Sequence, residues 1–343
     1  MQFTPDKFKN ILSGNNTKCI YEDGSGRLWV GTQESGLLMS EDTGKTFTAV
    51  INNKDNKVSK DKNLSSIRSN RINSISEDKE GNIWAGSGNG LYKLDRSGSI
   101  MQVFINDTGS LNSVASNNIL KILSDRSDLL WIGTDKGLDK FDPSTLSFTH
   151  YQYSRNDTNS LTENTILSLY EDKYGELWIG TYFGLNRLER KSGKFRHYKK
   201  DPADPKSISN NYVFSFNEDK SNNFWIGTGG GLNIFDRTTE TFFHFTENDG
   251  LPNGVIAGLE SDDNGYLWIS TYKGISRFSV KDRVFKNYDT EDGLVSNMFN
   301  TGSYFKNRKG EILFGSVNGV NYFIPGDIKE SNFTAPVMLT SLT

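Results

Sequence analysis

Asp172-Lys173-Tyr174-Gly175-Glu176-Leu177-Trp178-Ile179-Gly180-Thr181-Tyr182-Phe183-Gly184-Leu185 is a β-hairpin written out in full. A polar turn at Lys173-Tyr174-Gly175-Glu176, with a glycine free to take positive φ, opens into the β-formers Leu177 to Thr181. A second tight turn, Tyr182-Phe183-Gly184, leads into Leu185 to Leu188. Upstream, Ile166-Leu167-Ser168-Leu169-Tyr170 reads as a buried strand. Downstream, Lys191-Ser192-Gly193-Lys194 turns the chain into Phe195-Arg196-His197-Tyr198. Four strands joined by short turns predict one antiparallel sheet.

The same hairpin recurs along the whole chain. All six tryptophans sit in it, at 29, 84, 131, 178, 225 and 268, and Leu313 takes the place in a seventh copy. The spacings are 55, 47, 47, 47, 43 and 45 residues, a period of about 45. Copies fall near 22–37, 77–91, 124–138, 171–185, 218–232, 261–275 and 306–320. A single four-stranded sheet cannot bury both faces, whereas radially stacked neighbours bury the Trp and its Leu and Ile companions between them. The expectation is an all-β, seven-bladed propeller with four antiparallel strands per blade, spanning residues 1–330.

A second marker runs in phase. Asn15, Asn70, Asn117, Asn164 and Asn211 each precede the motif aspartate by 8 residues, Asn253 by 9, and Asn297 precedes Asn307 by 10. An amide at the start of each inner strand is expected to tie the incoming loop. An outer-strand aromatic is assigned at Phe104, Phe148, Phe195, Phe243 and Phe285. The last copy has a third strand, Val320 to Ile324, without a clear fourth. Phe3 precedes Asn15 by 12, as Phe285 precedes Asn297, so an N-terminal strand near Gln2 to Thr4 is expected to close the ring and remove a free edge.

Composition excludes several functions. Lys+Arg 39 against Asp+Glu 42 gives a net charge of −3, which offers no basic surplus for a phosphate backbone, so no nucleic-acid partner is expected. No apolar run approaches a membrane span, and Met1 to Lys7 lacks the basic start and apolar stretch of a signal peptide; no membrane contact by this segment is expected. The single cysteine, Cys19, forbids an internal disulfide and a Cys-based zinc site.

The string E-D-x-x-G-x-L-W-I-G-T-x-x-G-L, with the inner-strand Asn and the outer F-x-x-Y, resembles the two-component regulator propeller repeat. Glu77-Asp78 through Gly90-Leu91 and Glu218-Asp219 through Gly231-Leu232 are copies, and the stretches Asn156 to Leu161 and Asp201 to Ile208 share the likeness. The resemblance covers roughly residues 1 to 326. It departs from the pattern at an extra residue in Gln33-Glu34-Ser35, a long insertion around Asn52 to Asn63, and Lys306-Asn307 and Leu313 in the seventh copy. The tail Thr334 to Leu342 resembles the first strand of the Tyr-rich immunoglobulin-like domain that follows such propellers, so residues 331–343 are expected to begin a truncated second domain. The resemblance implies the extracytoplasmic, periplasmic sensor half of a bacterial hybrid histidine kinase, or of a diguanylate cyclase, often carbohydrate-responsive. Implied partners are a small-molecule ligand such as an oligosaccharide, adjacent domains of the same receptor, and a second copy of the full-length receptor.

Catalytic and metal-binding readings fare poorly. His150, His197 and His244 are 47 apart, the repeat period itself, so they lie one blade apart on the rim and cannot converge on a metal. No nucleophile, base and oxyanion donor assemble from phased positions, so no catalytic residue, metal or cofactor is assigned. Ser261-Asp262-Asp263-Asn264-Gly265 lacks the ligand spacing of an EF-hand and reads as a hairpin turn. Ser40 to Phe47 matches the Asp-box turn of sialidase-like propellers, a structural hairpin. WD repeats would need Trp-Asp, which is absent. The competing readings are a propeller enzyme of lyase or glycosidase type and a purely protein–protein interaction propeller.

What remains is a binding face made of outer-to-inner loops and second-to-third-strand turns. Tyr182, Phe183 and Tyr272 stand at such turns, with Lys273 beside them, Asn186 nearby, and Tyr212 opening the inner strand of the fifth unit. Gly229-Gly230 between the two tyrosine turns predicts a recess flanked by rings. Aromatics beside amides and charges suit a polyhydroxylated ligand, whose apolar face stacks while its polar groups are oriented. These six residues are the expected ligand site.

Overall fold

The computed structural model describes residues 9–12, 14–42, 44–51 and 70–328. They form seven four-stranded antiparallel sheets whose inner strands contact one another in a closed cycle. Blades 1 to 6 comprise residues 17–51, 72–104, 119–151, 166–198, 213–245 and 256–288; blade 7 combines 299–323 with 9–11. In blade 4 the strands are Ile166–Glu171, Leu177–Thr181, Gly184–Glu189 and Lys194–Tyr198, each within a residue or so of the ends read from sequence. Gly184 turns the second strand into the third at φ 128, where a Cβ would lie 2.8 Å from the Tyr198 carbonyl oxygen.

The tryptophans are buried and pack against the following blade. Trp178 meets Phe224 and Phe235 of blade 5 at centroid distances of 4.9 and 5.2 Å, and Trp268 meets Phe323 of blade 7 at 4.6 Å. Leu313 replaces the ring in blade 7 and packs with Ile20, Leu28 and Val30 of blade 1. Burial of an indole requires a partner for its N–H. That partner is the motif aspartate: Trp178 Nε1 donates to Asp172 Oδ2 at 2.9 Å, and the same bond recurs at Asp23, Asp78, Asp125, Asp219 and Asp262. The other oxygen of Asp172 accepts the N–H groups of Tyr174 and Glu176, which fixes the hairpin turn. The preceding glutamate works between blades: Glu218 Oε2 accepts Lys173 N of blade 4 at 2.8 Å, and Glu171 Oε2 accepts Arg126 N of blade 3 at 2.9 Å. Arg237 completes the clamp, reaching Asp172 at 2.7 Å and Glu218 at 2.8 Å.

The ring is closed by an N-terminal strand, but a different one from the strand expected. Lys9–Ile11 pairs with the third strand of blade 7 in the register Lys9↔Tyr322, Asn10↔Asn321, Ile11↔Val320. Gln2 to Thr4, the insertion 52–63 and the tail 331–343 lie outside the described residues. The count from Phe3 misplaced the strand because the connection to blade 1 is short. Ile11 stands opposite Val320 as Tyr288 stands opposite Ile275, yet Ile11 precedes Asn15 by four residues and Tyr288 precedes Asn297 by nine. Between blades 6 and 7 the chain adds the 3-10 turn Thr290–Asp292; between Ile11 and Asn15 it turns sharply, with Gly14 N donating to Asn318 O.

A second correction concerns Phe243. Phe242 is the residue opposite Phe235, as Phe195 is opposite Leu188, and it is buried; Phe243, one residue on, faces solvent. A one-residue error in a strand inverts the face. Four of the phased asparagines act as expected: the side-chain oxygens of Asn117, Asn164, Asn211 and Asn297 accept the N–H of Asn106, Tyr153, Lys200 and Thr290, closing the incoming loop, whereas Asn15 accepts from Ser35 Oγ and Asn253 from Val255 N. Asp42 of the Asp-box turn likewise accepts the N–H groups of Lys45 and Thr46.

Candidate ligand site at the channel mouth

In blades 1 to 6 each inner strand opens with a β-bulge, as at Ile119/Lys121 and Ile166/Ser168. The bulged residues Lys18, Asn73, Leu120, Leu167 and Phe214 line the mouth of the channel. The next position is small in the repeat, Cys19, Ser74, Ser168, Ser215, Gly258 and Ser303, because it packs against the motif glycine and the neighbouring blade. Ser168 Oγ donates to Val213 O at 2.9 Å, and a Cβ on Gly180 would come within 2.2 Å of that hydroxyl. Lys121 breaks the series. Too long for that niche, it sends Nζ towards Gly302 O of blade 7, 3.4 Å away.

Blade 7 departs as well. Its register jumps from Phe299↔Ser316 to Tyr304↔Phe314, two residues more than in the other blades, which accounts for the spacing of 10 between Asn297 and Asn307. The extra residues widen the bulge at Asn300, Thr301 and Gly302, the last at φ 72. Asn300 Nδ2 anchors it to blade 1 through Asn16 Oδ1 and Thr17 O at 2.9 and 2.7 Å. Farther along the channel, the Tyr304 hydroxyl crosses to blade 5, accepting Phe216 N at 3.2 Å and donating to Phe216 O at 3.3 Å. The mouth holds a cup of about 710 Å³, which Thr301 of the widened bulge helps to line.

The cup brings three of the six expected residues together. Tyr182, Tyr212 and Tyr272 line it from blades 4, 5 and 6, each 40–49% exposed, with the Tyr182 and Tyr212 rings edge to face at 5.3 Å. Tyr212 fills part of the predicted recess, standing over Gly229, where a Cβ would meet it at 3.3 Å. Phe183 and Lys273 are exposed but fall outside the lining, since adjacent turn residues point apart. Asn186 is a correction: fully buried, it accepts Thr162 N at 2.9 Å and donates to Thr162 Oγ1. Asn233, its repeat equivalent, does the same for Ser209. It is a loop tie, unable to meet a ligand.

The opposite wall carries Lys18, Arg71, Asn73, Lys121 and Asp135; Asp135 stands at one of the turns expected to build the binding face, and none of the five is among the six expected site residues. Burial, together with Lys18, pushes the Lys121 ammonium down to about 8. Burial and then Arg71 lower Lys18 in turn. On the tyrosine side, burial and then Tyr182 raise Tyr272. Asp135 Oδ2 accepts Asn118 Nδ2 at 3.2 Å, while its buried Oδ1 has no partner. The signals available in sequence were a lysine at a small-residue position and the irregular spacing before Asn307.

The rim histidines do not meet. His150 Nδ1 contacts Asp139 Oδ1 and Nε2 contacts Leu111 O, both at 2.7 Å; His197 Nε2 contacts Ser160 O at 2.7 Å. Burial depresses the His150 imidazole, but the bonds to Asp139 and to the Leu111 carbonyl outweigh it and hold the group above its ordinary value.

Stretches 11–34, 66–89, 160–183, 207–230 and 250–273 match the model of the two-component regulator propeller. No curated protein matches the chain. Among solved structures, the chain is similar to the extracellular domain of the hybrid two-component system BT4673 of B. thetaiotaomicron, at 22% identity and a TM-score of 0.74 over 92% of this chain and 39% of that one. It is similar to PorZ, a surface component of the type-IX secretion system of Porphyromonas gingivalis, at 14% identity and a TM-score of 0.69 over 91% and 47%. It is also similar to virginiamycin B lyase of Staphylococcus aureus, at 12% identity and 0.64 over 92% and 97%. At these identities the likeness is one of fold. The chain spans about 40% of the length of the BT4673 structures it matches. Five of its seven blades, 1, 2, 4, 5 and 6, carry stretches that match the two-component regulator propeller repeat.

Proposed function

We propose that this propeller is the ligand-sensing domain of a bacterial signal-transduction receptor of the hybrid two-component type, held on the extracytoplasmic side of the membrane. It takes a small polyhydroxylated ligand, with oligosaccharides as the leading class, at the channel mouth. The observation that carries the reading is the repeat itself, matched five times to a two-component regulator model. The BT4673 extracellular domain, with the same fold, supports the placement. Any kinase or other output would reside in adjoining domains of the receptor, reached through the rigid ring.

The cup supplies what recognition needs: aromatic faces from three blades and a polar opposite wall. Two of the three rim histidines, His150 and His197, have Nε2 taken up by a backbone carbonyl, which speaks against their serving as a lyase base. Calorimetric titration of the propeller with neutral and acidic oligosaccharides, followed by chromatography of the mixtures, tests this. Saturable binding with the saccharide recovered intact is expected. Cleavage of any ligand would replace the sensor by a lyase or glycosidase.

A further inference from the structure

The cup is divided by chemistry. Blades 4 to 6 contribute Tyr182, Tyr212 and Tyr272, while blades 1 to 3 contribute Lys18, Arg71 and Lys121. The lining holds three cations and one carboxylate, Asp135, with Glu34 also acting on Lys18, in a chain whose net charge is −3, so the lining itself is cationic. Lys121 lines the cup, and its hydrogen bond is long, 3.4 Å to Gly302 O. Burying an ammonium with its donors so poorly satisfied is costly unless an anion completes the site. Asp135 lines the same cup, where its carboxylate can accept from a ligand hydroxyl. A free inorganic anion would leave the three rings unused, and a neutral sugar would leave Lys121 with only its long bond to Gly302 O.

We propose, building on the sensor reading above, that the ligand is an acidic saccharide: its carboxylate or sulfate faces Lys18, Arg71 and Lys121, one apolar sugar face lies on the tyrosines, and a hydroxyl donates to Asp135. The three cations then act as specificity residues that exclude neutral sugars of the same shape.

Calorimetry with three disaccharides tests this: digalacturonic acid, neutral galactobiose, and galactobiose bearing a sulfate ester. At least one acidic disaccharide is expected to bind tenfold or more tighter than galactobiose, and the tighter of the two identifies the anion. Raising salt from about 50 to 500 mM should weaken only the acidic ligands. Lys121→Met should abolish the preference, and Arg71→Gln, at an exposed position, should reduce it several-fold with the melting temperature measured alongside. Galactobiose binding as tightly as the acidic pair would overturn the inference while leaving the sensor reading in place. So would a preference that survives both substitutions. Absence of binding by all three would overturn the site as well.

Discussion

Where the first strand of each blade turns into the second, polar groups are consumed. Asp172 takes the Trp178 indole, two backbone N–H groups and the Arg237 guanidinium, and Glu218 takes Lys173 N and the same arginine. At the opposite end, around the cup, three tyrosine rings stand half exposed, Asp135 keeps an unpartnered oxygen, and Lys121 reaches a single carbonyl. The first arrangement repeats blade after blade; the second occurs once. Repetition marks the frame; the cup is where the repeat is broken, by Lys121 and by the wider bulge of blade 7.

Breaking the frame should have the largest effect. Asp172→Ala leaves a buried indole N–H, two turn amides and an arginine without their acceptor, and is expected to destabilise the fold by about 3–5 kcal/mol in urea unfolding. Asp172→Asn, which keeps an acceptor for the turn amides, should cost less. Equal stability of Asp172→Ala and wild type would dissolve the distinction between the two ends.

The channel sharpens the comparison through pH. Burial raises Glu260 to about 8 against a counteracting Lys306, and burial lowers Lys121 to about 8. Between pH 4.5 and 8 the folded protein binds the extra proton at Glu260, so stability falls as pH rises through that window. Between pH 8 and 10.5 the unfolded chain binds the extra proton at Lys121, so stability rises. Melting curves should show a dip near pH 8. Glu260→Gln should flatten its acidic side and Lys121→Met its alkaline side.

A smaller effect is expected at the rim. His150 carries a raised folded-state value, so its contribution is complete below about 6.5 and is lost as pH rises through that raised value. The melting-temperature gap between wild type and His150→Gln should be largest near pH 5.5 and shrink by pH 8. A gap independent of pH would show that the imidazole acts by shape alone.

Blade number, strand order and the tryptophan core were legible because they recur, and recurrence can be counted without knowing any contact. The role of Asp172 was visible only as a turn, since its bond to Trp178 lies six residues along and depends on the hairpin already being folded. Asn186 was misjudged because nearness in sequence to Tyr182 says nothing of facing; its strand position points inwards. The tyrosines were found as aromatics at tight turns. The cations facing them come from three other blades, a proximity that only closure of the ring creates.

The most direct test of the division between frame and cup is to measure binding and melting together on Tyr182→Ala/Tyr272→Ala. Each lost stacking face is worth on the order of 1 kcal/mol. The double variant should therefore bind saccharide about tenfold more weakly or worse, while melting at the wild-type temperature, because neither ring belongs to the buried core. Unchanged affinity with an intact fold, or lost affinity accompanied by a collapse in melting temperature, would contradict the account.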